Sequence, residues 1–448
     1  MYCGARQCGL KFVAVFLVAL PAALAKAQGN QANPTSISLA EAIHRAEQNE
    51  PIFAGAVAAQ KSAAIDRYLA KSALLPSVVY HNQVLYTQSN RPTAFAGKTA
   101  SQSSPIFIAN NAIHEYTSQA SITETIGLKG IADARIAAAN AARASAELEV
   151  ARRGLASAVV ALYYSVSASG QKQQLYQEGL NEAQAFTSLT EKREAAREVA
   201  HADVVKAQLQ MQQRQRDLSD ATVAAQRARL ELGVLLFPDP GTQYLTEDPA
   251  NNIVPPNWDE VSHLASIHNP EIASALADLK ATEASVTSAK AAYLPDLGLN
   301  FSYGIDAPQF AKNGPEGVRN LGYSISGTLD IPVWDWLSTQ KRVKQSEIQR
   351  DAAKIRLTAA QRRLIATLQS AYAETVAAHN QLDLLDQSVR TAEESLRLTK
   401  LRYSAGESTA LEVVDAQNAY LTAGTAQADG VVRYQTALAV LQTLTGKL

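Results

Sequence analysis

Two carboxylates near the C-terminal end, Glu412 and Asp415, stand three residues apart and therefore share one face of any helix that carries them. The chemistry open to such a pair is electrostatic. Repeated around an axis, the pair stacks as two acidic rings whose members raise one another's pKa and draw cations into a narrow passage. Just upstream, Arg402-Tyr403-Ser404-Ala405-Gly406-Glu407-Ser408 reads as a turn between two helices, since Gly406 supplies a positive φ or a helix-ending conformation. An earlier helix pair carries Arg193 and Glu198 in the same places but has Arg197 instead of the glycine, which predicts a looser or more helical turn there. Catalytic and metal chemistry finds little footing. Both cysteines, Cys3 and Cys8, lie at the very start, and the seven histidines are dispersed; His263 and His268, five apart, do not share the helix face that a metal pair requires. No phosphate-cradling glycine loop or Ser/His/Asp arrangement stands in a supporting context. The expectation is a protein that is not an enzyme and uses neither cofactor nor metal.

The elements that position these residues are written twice. Moving along by 219 places Pro51 on Pro270, Lys61 on Lys280, Lys71 on Lys290 and Pro76 on Pro295. Moving by 209 places Tyr163 on Tyr372, Arg193 on Arg402, Glu198 on Glu407 and Val204-Val205 on Val413-Val414. A repeat of roughly 210 residues is far longer than a solenoid unit, so a whole supersecondary assembly is doubled. The expected divisions are an export leader at 1–27, a first repeat at 28–237, a linker at 238–257 rich in proline, and a second repeat at 258–448.

The leader reading rests on Arg6 and Lys11 before the apolar run Phe12–Leu24, with Ala25-Lys26-Ala27 as the small-x-small cleavage pattern. That run is too short to span a bilayer as a helix, and no later stretch approaches the roughly 20 apolar residues that one needs. A balance of 41 basic against 42 acidic side chains, made slightly more acidic by loss of Arg6, Lys11 and Lys26, gives no reason to expect nucleic acid as a partner.

Within each repeat the period changes twice. Residues 51–75 and 270–294 each begin at a proline suited to a first helical turn and end before another. Period-two alternation follows, clearest in Leu297, Leu299, Phe301, Tyr303 and Ile305, and again in Leu321, Tyr323, Ile325, Gly327 and Leu329. These read as a hairpin at about 296–331, with a counterpart at about 77–126 whose loop lies around Asn90–Ser104. Residues 129–192 and 338–403 then form uninterrupted helices that would each reach about 100 Å, followed by helices at 198–236 and 408–445. Leu368, Thr375, Leu382, Val389, Leu396 and Tyr403 repeat every seven, a seam that imposes left-handed coiling. Short helices are expected at 38–49 and 258–269. Four strands cannot close a membrane barrel, so copies of the chain must associate.

With the duplication, this order of elements and the run from Arg402 to Ser408 followed by Glu412-Val413-Val414-Asp415, the chain resembles the TolC-like outer membrane efflux proteins over essentially its whole mature length. The resemblance implies an α+β membrane protein, mostly α: a homotrimer with a twelve-stranded barrel in the bacterial outer membrane, continued by a long coiled-coil tunnel in the periplasm. It also implies partners, namely a periplasmic adaptor, an inner-membrane pump and outer-membrane lipid. The implied role is a passive exit duct of a tripartite efflux or type I secretion system. By position, Glu412 and Asp415 take the family's acidic rings at the pore constriction. Tyr403 and Asp203 take its tip latch, while Ser408 stands where the latch arginine would be. Arg193, Arg197, Arg402, Tyr403, Gly406 and Glu407 fall at the tips that dock onto the adaptor. Trp334 and Trp336, after the last strand, suit either an interfacial aromatic belt or packing at the barrel–tunnel junction. A second reading, a periplasmic coiled-coil scaffold or tether, accounts for the helices and leaves the alternating strands without a use.

Overall fold

The computed structural model describes residues 35–86, 114–247, 254–307, 309–314, 317 and 319–447. The expected leader at 1–27, its cleavage site and the loop around Asn90–Ser104 lie outside the described residues.

Each repeat places a short helix, a longer helix, a strand pair and two long helices in the same order. The first comprises α1 (Leu39–Asn49), α2 (Pro51–Ser72), β2 (Ser77–Tyr86), β3 (His114–Ile126), α3 (Leu128–Ala195) and α4 (His201–Leu236). The second comprises α5 (Trp258–His268), α6 (Pro270–Ala291), β5 (Asp296–Ala307), β6 (Leu321–Asp330), α7 (Ser338–Ser404) and α8 (Ala410–Thr445). Local chemistry sets the starts of α2 and α6. Pro51 and Pro270 occupy the first helical positions, where no N–H is needed, and the Glu50 and Asn269 side chains accept from the backbone N–H of Ile52 and Ile272.

The four longer strands form one antiparallel sheet in the order β2-β3-β5-β6. The register sorts its two faces. Val78, Tyr80, Ile122, Phe301, Tyr303, Tyr323 and Ile325 share one face, while Ser77, Gln83, Thr123, Ser121, Asn300, Ser302 and Ser324 share the other. Gly304 sits where β3 and β5 approach too closely for a side chain, since a Cβ there would lie 2.2 Å from the Ser118 carbonyl oxygen. Two further strands, β1 (Thr35–Ile37) and β4 (Tyr244–Thr246), pair in parallel and tie the N-terminal segment to the linker. Three residues each, they are too short to show a period. The Tyr163 hydroxyl fastens them, lying 2.8 Å from the Ile37 carbonyl oxygen and 3.1 Å from that of Glu247.

Helices α2 and α4 both run along α3, and α6 lies between α3 and α7. Helix α8 lies between α7 and α3. The heptad seam is real packing, for Leu368, Ala371, Thr375, Ala378, Leu396 and Tyr403 are the buried side of α7. The core is therefore a set of separate patches along a rope. One gathers Ile37, Val159, Tyr163, Leu232 and Leu236 beneath α1, and its counterpart gathers Val261, Leu368 and Leu441 beneath α5. Among the described residues, no helix is long and apolar enough to cross a membrane.

A buried cation near the ends of α5 and α8 joins the two repeats. Arg153 on α3 donates to the carbonyl oxygens of His268 at 3.0 Å and Thr443 at 3.1 Å, satisfying acceptors near the C-terminal ends of α5 and α8. Glu149 holds it at 2.6 Å. Hydrogen bonding from Arg152, followed by that from Arg153, outweighs desolvation and brings the Glu149 carboxyl down to about 2. A carboxyl depressed by folding contributes stability that is full above its ordinary pKa of 4.5 and is lost as pH falls toward 2. Thermal midpoints of wild type and Glu149→Gln are therefore expected to differ at neutral pH and to converge across that window; a gap independent of pH would rule out this ion cluster as its source.

Candidate functional site at the helical tip

The two helix-to-helix turns have one geometry, and this corrects the expectation for the first. In the second repeat the N–H of Glu407 bonds to the Arg402 carbonyl and that of Gly406 to the Tyr403 carbonyl, at 2.9 and 3.0 Å. In the first, Glu198 bonds to Arg193 and Arg197 to Glu194, both at 2.8 Å. Both are Schellman closures, with the residue after the helix cap in the left-handed region: φ is 81° at Gly406 and 62° at Arg197. Arg197 thus does not loosen the turn. The packing around the tip holds an arginine in a conformation that costs an L-residue about 1–2 kcal/mol.

The tip is glued by Tyr403. Its ring is buried against Phe186, with centroids 5.1 Å apart, beside Ala207, Ala410, Val413 and Val414. Its hydroxyl lies 3.3 Å from the Thr190 hydroxyl. The Arg193 guanidinium stands 5.0 Å from the ring centroid, donates to the Tyr403 carbonyl at 2.5 Å and pairs with Glu198 at 3.0 Å. No hydrogen bond joins Asp203 to Tyr403 within the protomer. Asp203 is half-buried in the first turn of α4, where a carboxylate favours the helix N-terminus. At the tip, the contacts across the two repeats therefore run from Tyr403 to Phe186, Thr190 and Arg193, because the tyrosine ring turns inward onto α3. Phe186 and Thr190 carry no sequence signal of their own, although their spacing of four and three from one another and from Arg193 places all three on one helix face.

Glu412 and Asp415 are both exposed on α8 and share a face, as their spacing requires. Glu412 has a second task. Thr409 caps α8, its hydroxyl accepting from the Glu412 N–H at 3.3 Å, while the Glu412 carboxylate accepts from the Thr409 N–H at 3.3 Å and from the Ser408 hydroxyl at 3.0 Å. The Thr409 backbone bond, helped by the Ser408 and Thr409 hydroxyls and by Arg402 3.7 Å away, holds this carboxyl below its ordinary range. Within one protomer the cap thus favours the ionised form of Glu412. The pattern Thr-x-x-Glu ahead of an apolar run was legible as a capping box. Arg402 and Glu407 close the outer side of the turn, the guanidinium donating to the Glu407 carbonyl at 3.2 Å.

Trp334 and Trp336 lie far from the tip, between β6 and α7. Both are exposed and they stack edge-to-face at 5.8 Å; φ is 56° at Trp336 and 62° at Leu337. Packing within the protomer does not explain them. Among the described residues, no group of three His, Cys, Asp or Glu side chains is placed to hold a metal ion.

The matched turns give unequal sensitivity. Gly406→Ala is expected to lower stability by about 1 kcal/mol, whereas Arg197→Gly is expected to be neutral or to raise it by up to about 1 kcal/mol. Denaturant midpoints measure both, and equal losses in the two variants would contradict the shared geometry.

The model of the outer membrane efflux protein family matches residues 42–236 and 261–447. Pyoverdine export outer membrane protein OpmQ of Pseudomonas aeruginosa is 25% identical over 84% of this chain and 78% of its own length. Outer membrane protein OprJ of the same organism is 28% identical over 38% of this chain, and that match spans 35% of OprJ. The CmeC outer membrane channel of Campylobacter jejuni superposes with a TM-score of 0.77, covering 91% of this chain and 85% of CmeC at 16% identity. The chain belongs to the outer membrane efflux protein family, a family of bacterial outer-membrane channels that extend into the periplasm and not of enzymes.

Proposed function

We infer that three copies of the chain close into one duct, a twelve-stranded barrel in the outer membrane above a helical tunnel. The observation that carries this reading is an imbalance between the repeats. Helix α6 has long helices on both sides and buries Ala277, Ala281, Ala284 and Val286, whereas its counterpart α2, among the described residues, has α3 as its one long neighbour besides its junction with α1 and buries no residue. Ile52, Ile65, Tyr68 and Leu69 stay exposed on α2. The partner that α2 lacks is α7 of the next copy. The sheet says the same. Strands β2 and β6 are open edges of ten residues each, and their pairing follows the internal β3–β5 junction. Ser77 opposite Thr123 corresponds to Asp296 opposite Asp330, so Ser121 opposite Ser302 places Thr328 opposite Gln83 of the next copy. On that register Val333 falls opposite Val78, which gives the exposed run after β6 a strand to meet. The number three comes from the family.

In such a duct the export leader is removed, the two repeats flank the linker, and the tip faces a periplasmic adaptor that joins it to an inner-membrane pump. Arg197, Arg402, Gly406 and Glu407 present that docking face. Arg193 supports it from inside, since its charge is already engaged by Glu198 and Tyr403. Asp203 completes the latch between copies. Trp334 and Trp336 meet the membrane interface at the periplasmic rim. Substrates arrive from the pump and pass the rings of Glu412 and Asp415.

Single-channel recording tests the constriction. Glu412→Lys with Asp415→Lys is expected to abolish block by multivalent cations and to shift selectivity toward anions. Unchanged block and selectivity would remove the two carboxylates from the pore.

A further inference from the structure

A cleft of about 670 Å³ opens between α3, α7 and α8 some turns above the tip. Its walls carry Glu178, Glu182 and Glu393. The cations beside them are committed, for Arg397 grips Glu394 through bonds of 2.7 and 2.8 Å and Lys400 is bonded to Glu182. Glu178 accepts the Gln174 amide at 3.3 Å, and neither Glu178 nor Glu393 has an ion-pair partner among the described residues. Gln417 also lines the cleft. It is 4% exposed, and its Nε2 and Oε1 are both buried without a hydrogen-bond partner. An amide with both ends unmet is costly, and a ligand that both donates and accepts removes the cost. The pull of the carboxylates is felt locally: after burial, Glu178, Glu393 and Glu182 push the Tyr420 hydroxyl pKa up.

The arrangement selects a chemistry. A metal ion needs ligands converging on a point, and among the described residues no such group exists. Here the unpaired carboxylates belong to different helices, with the apolar side chains of Leu396 and Leu421 between the walls. An organic cation with separated charges suits that spread. A hydroxyl, donor and acceptor at once, meets both atoms of the Gln417 amide. We propose that this cleft binds a small organic dication of the amino-alcohol class, with ammonium groups on Glu178 and Glu393 and its hydroxyl on Gln417. Gln417 lies two residues beyond Asp415, about 200° around the helix, so the site faces away from the carboxylate pair and does not depend on the pore assignment. Its occupant ties α3 of the first repeat to α7 of the second just above the tip.

Calorimetric titration of the purified full-length protein with 1,3-diamino-2-propanol tests the assignment. Saturable binding of one molecule per chain is expected, weakened about tenfold in 1,3-diaminopropane, which lacks the hydroxyl, and absent for glycerol, which lacks the charges. Glu393→Gln is expected to weaken binding by about tenfold or more, and Gln417→Leu to erase the preference for the hydroxylated diamine. No saturable heat, or binding unchanged in both variants, overturns the proposal. So does binding that survives in both variants and disappears instead in Glu412→Gln with Asp415→Asn, which would place the diamine at the carboxylate pair.

Discussion

An open sheet edge cannot be left in hydrocarbon. Every unpaired N–H and C=O of β2 and β6 would cost several kcal/mol in a bilayer, where water is not available to satisfy it. The strand face carrying Val78, Tyr80, Phe301, Tyr303 and Tyr323 is at the same time too oily for water. These two demands are compatible only if the edges meet other edges and the face meets lipid. The exposed flank of α2 and the exposed apolar run after β6 are what the proposed neighbour would cover. The protomer is thus stable in part and complete only in company.

Duplication supplies the neighbour's shape in advance. Because the first and second repeats already pack on one another, through β3 with β5 and through α6 between α3 and α7, the next copy has only to reproduce an existing junction. The tip shows where the copies of the pattern have diverged. Both turns keep the same closure, yet one uses glycine and the other holds an arginine at positive φ. Tyr403 has Glu194 as its counterpart, so the aromatic contact with Arg193 and Phe186 is made once in each protomer. The proposed twelve-helix tube would accordingly be threefold in detail and sixfold only in outline.

Much of this was legible in the residues themselves. Helix starts at Pro51 and Pro270, the alternation from Leu297 to Ile305 and the heptads from Leu368 to Tyr403 are local signals, and each lies in the expected element. The strands β1 and β4 are not legible, because three residues carry no period and Tyr163, which fastens them, lies 126 positions from Ile37 and 84 from Glu247. The left-handed geometry at Arg197 is not legible for a related reason. Backbone preference argues against a left-handed arginine, and the competing term, closure of a turn between two long packed helices, is tertiary. The spacing of Glu412 and Asp415 makes them a pair on one helix face, whereas the role of Glu412 as a cap needs Thr409 to be read with it.

The most direct test concerns the edge-to-edge junction. Both natural cysteines lie within the first eight residues, ahead of the expected cleavage point, so Thr328→Cys with Gln83→Cys places the sole pair of thiols on the facing edges. Oxidised outer membranes are expected to yield a trimer that survives boiling in detergent and collapses to one band on reduction, with neither single variant forming it. A double variant that stays monomeric under oxidation, in membranes where the protein is folded, would contradict the pairing of β6 with β2 of a second copy.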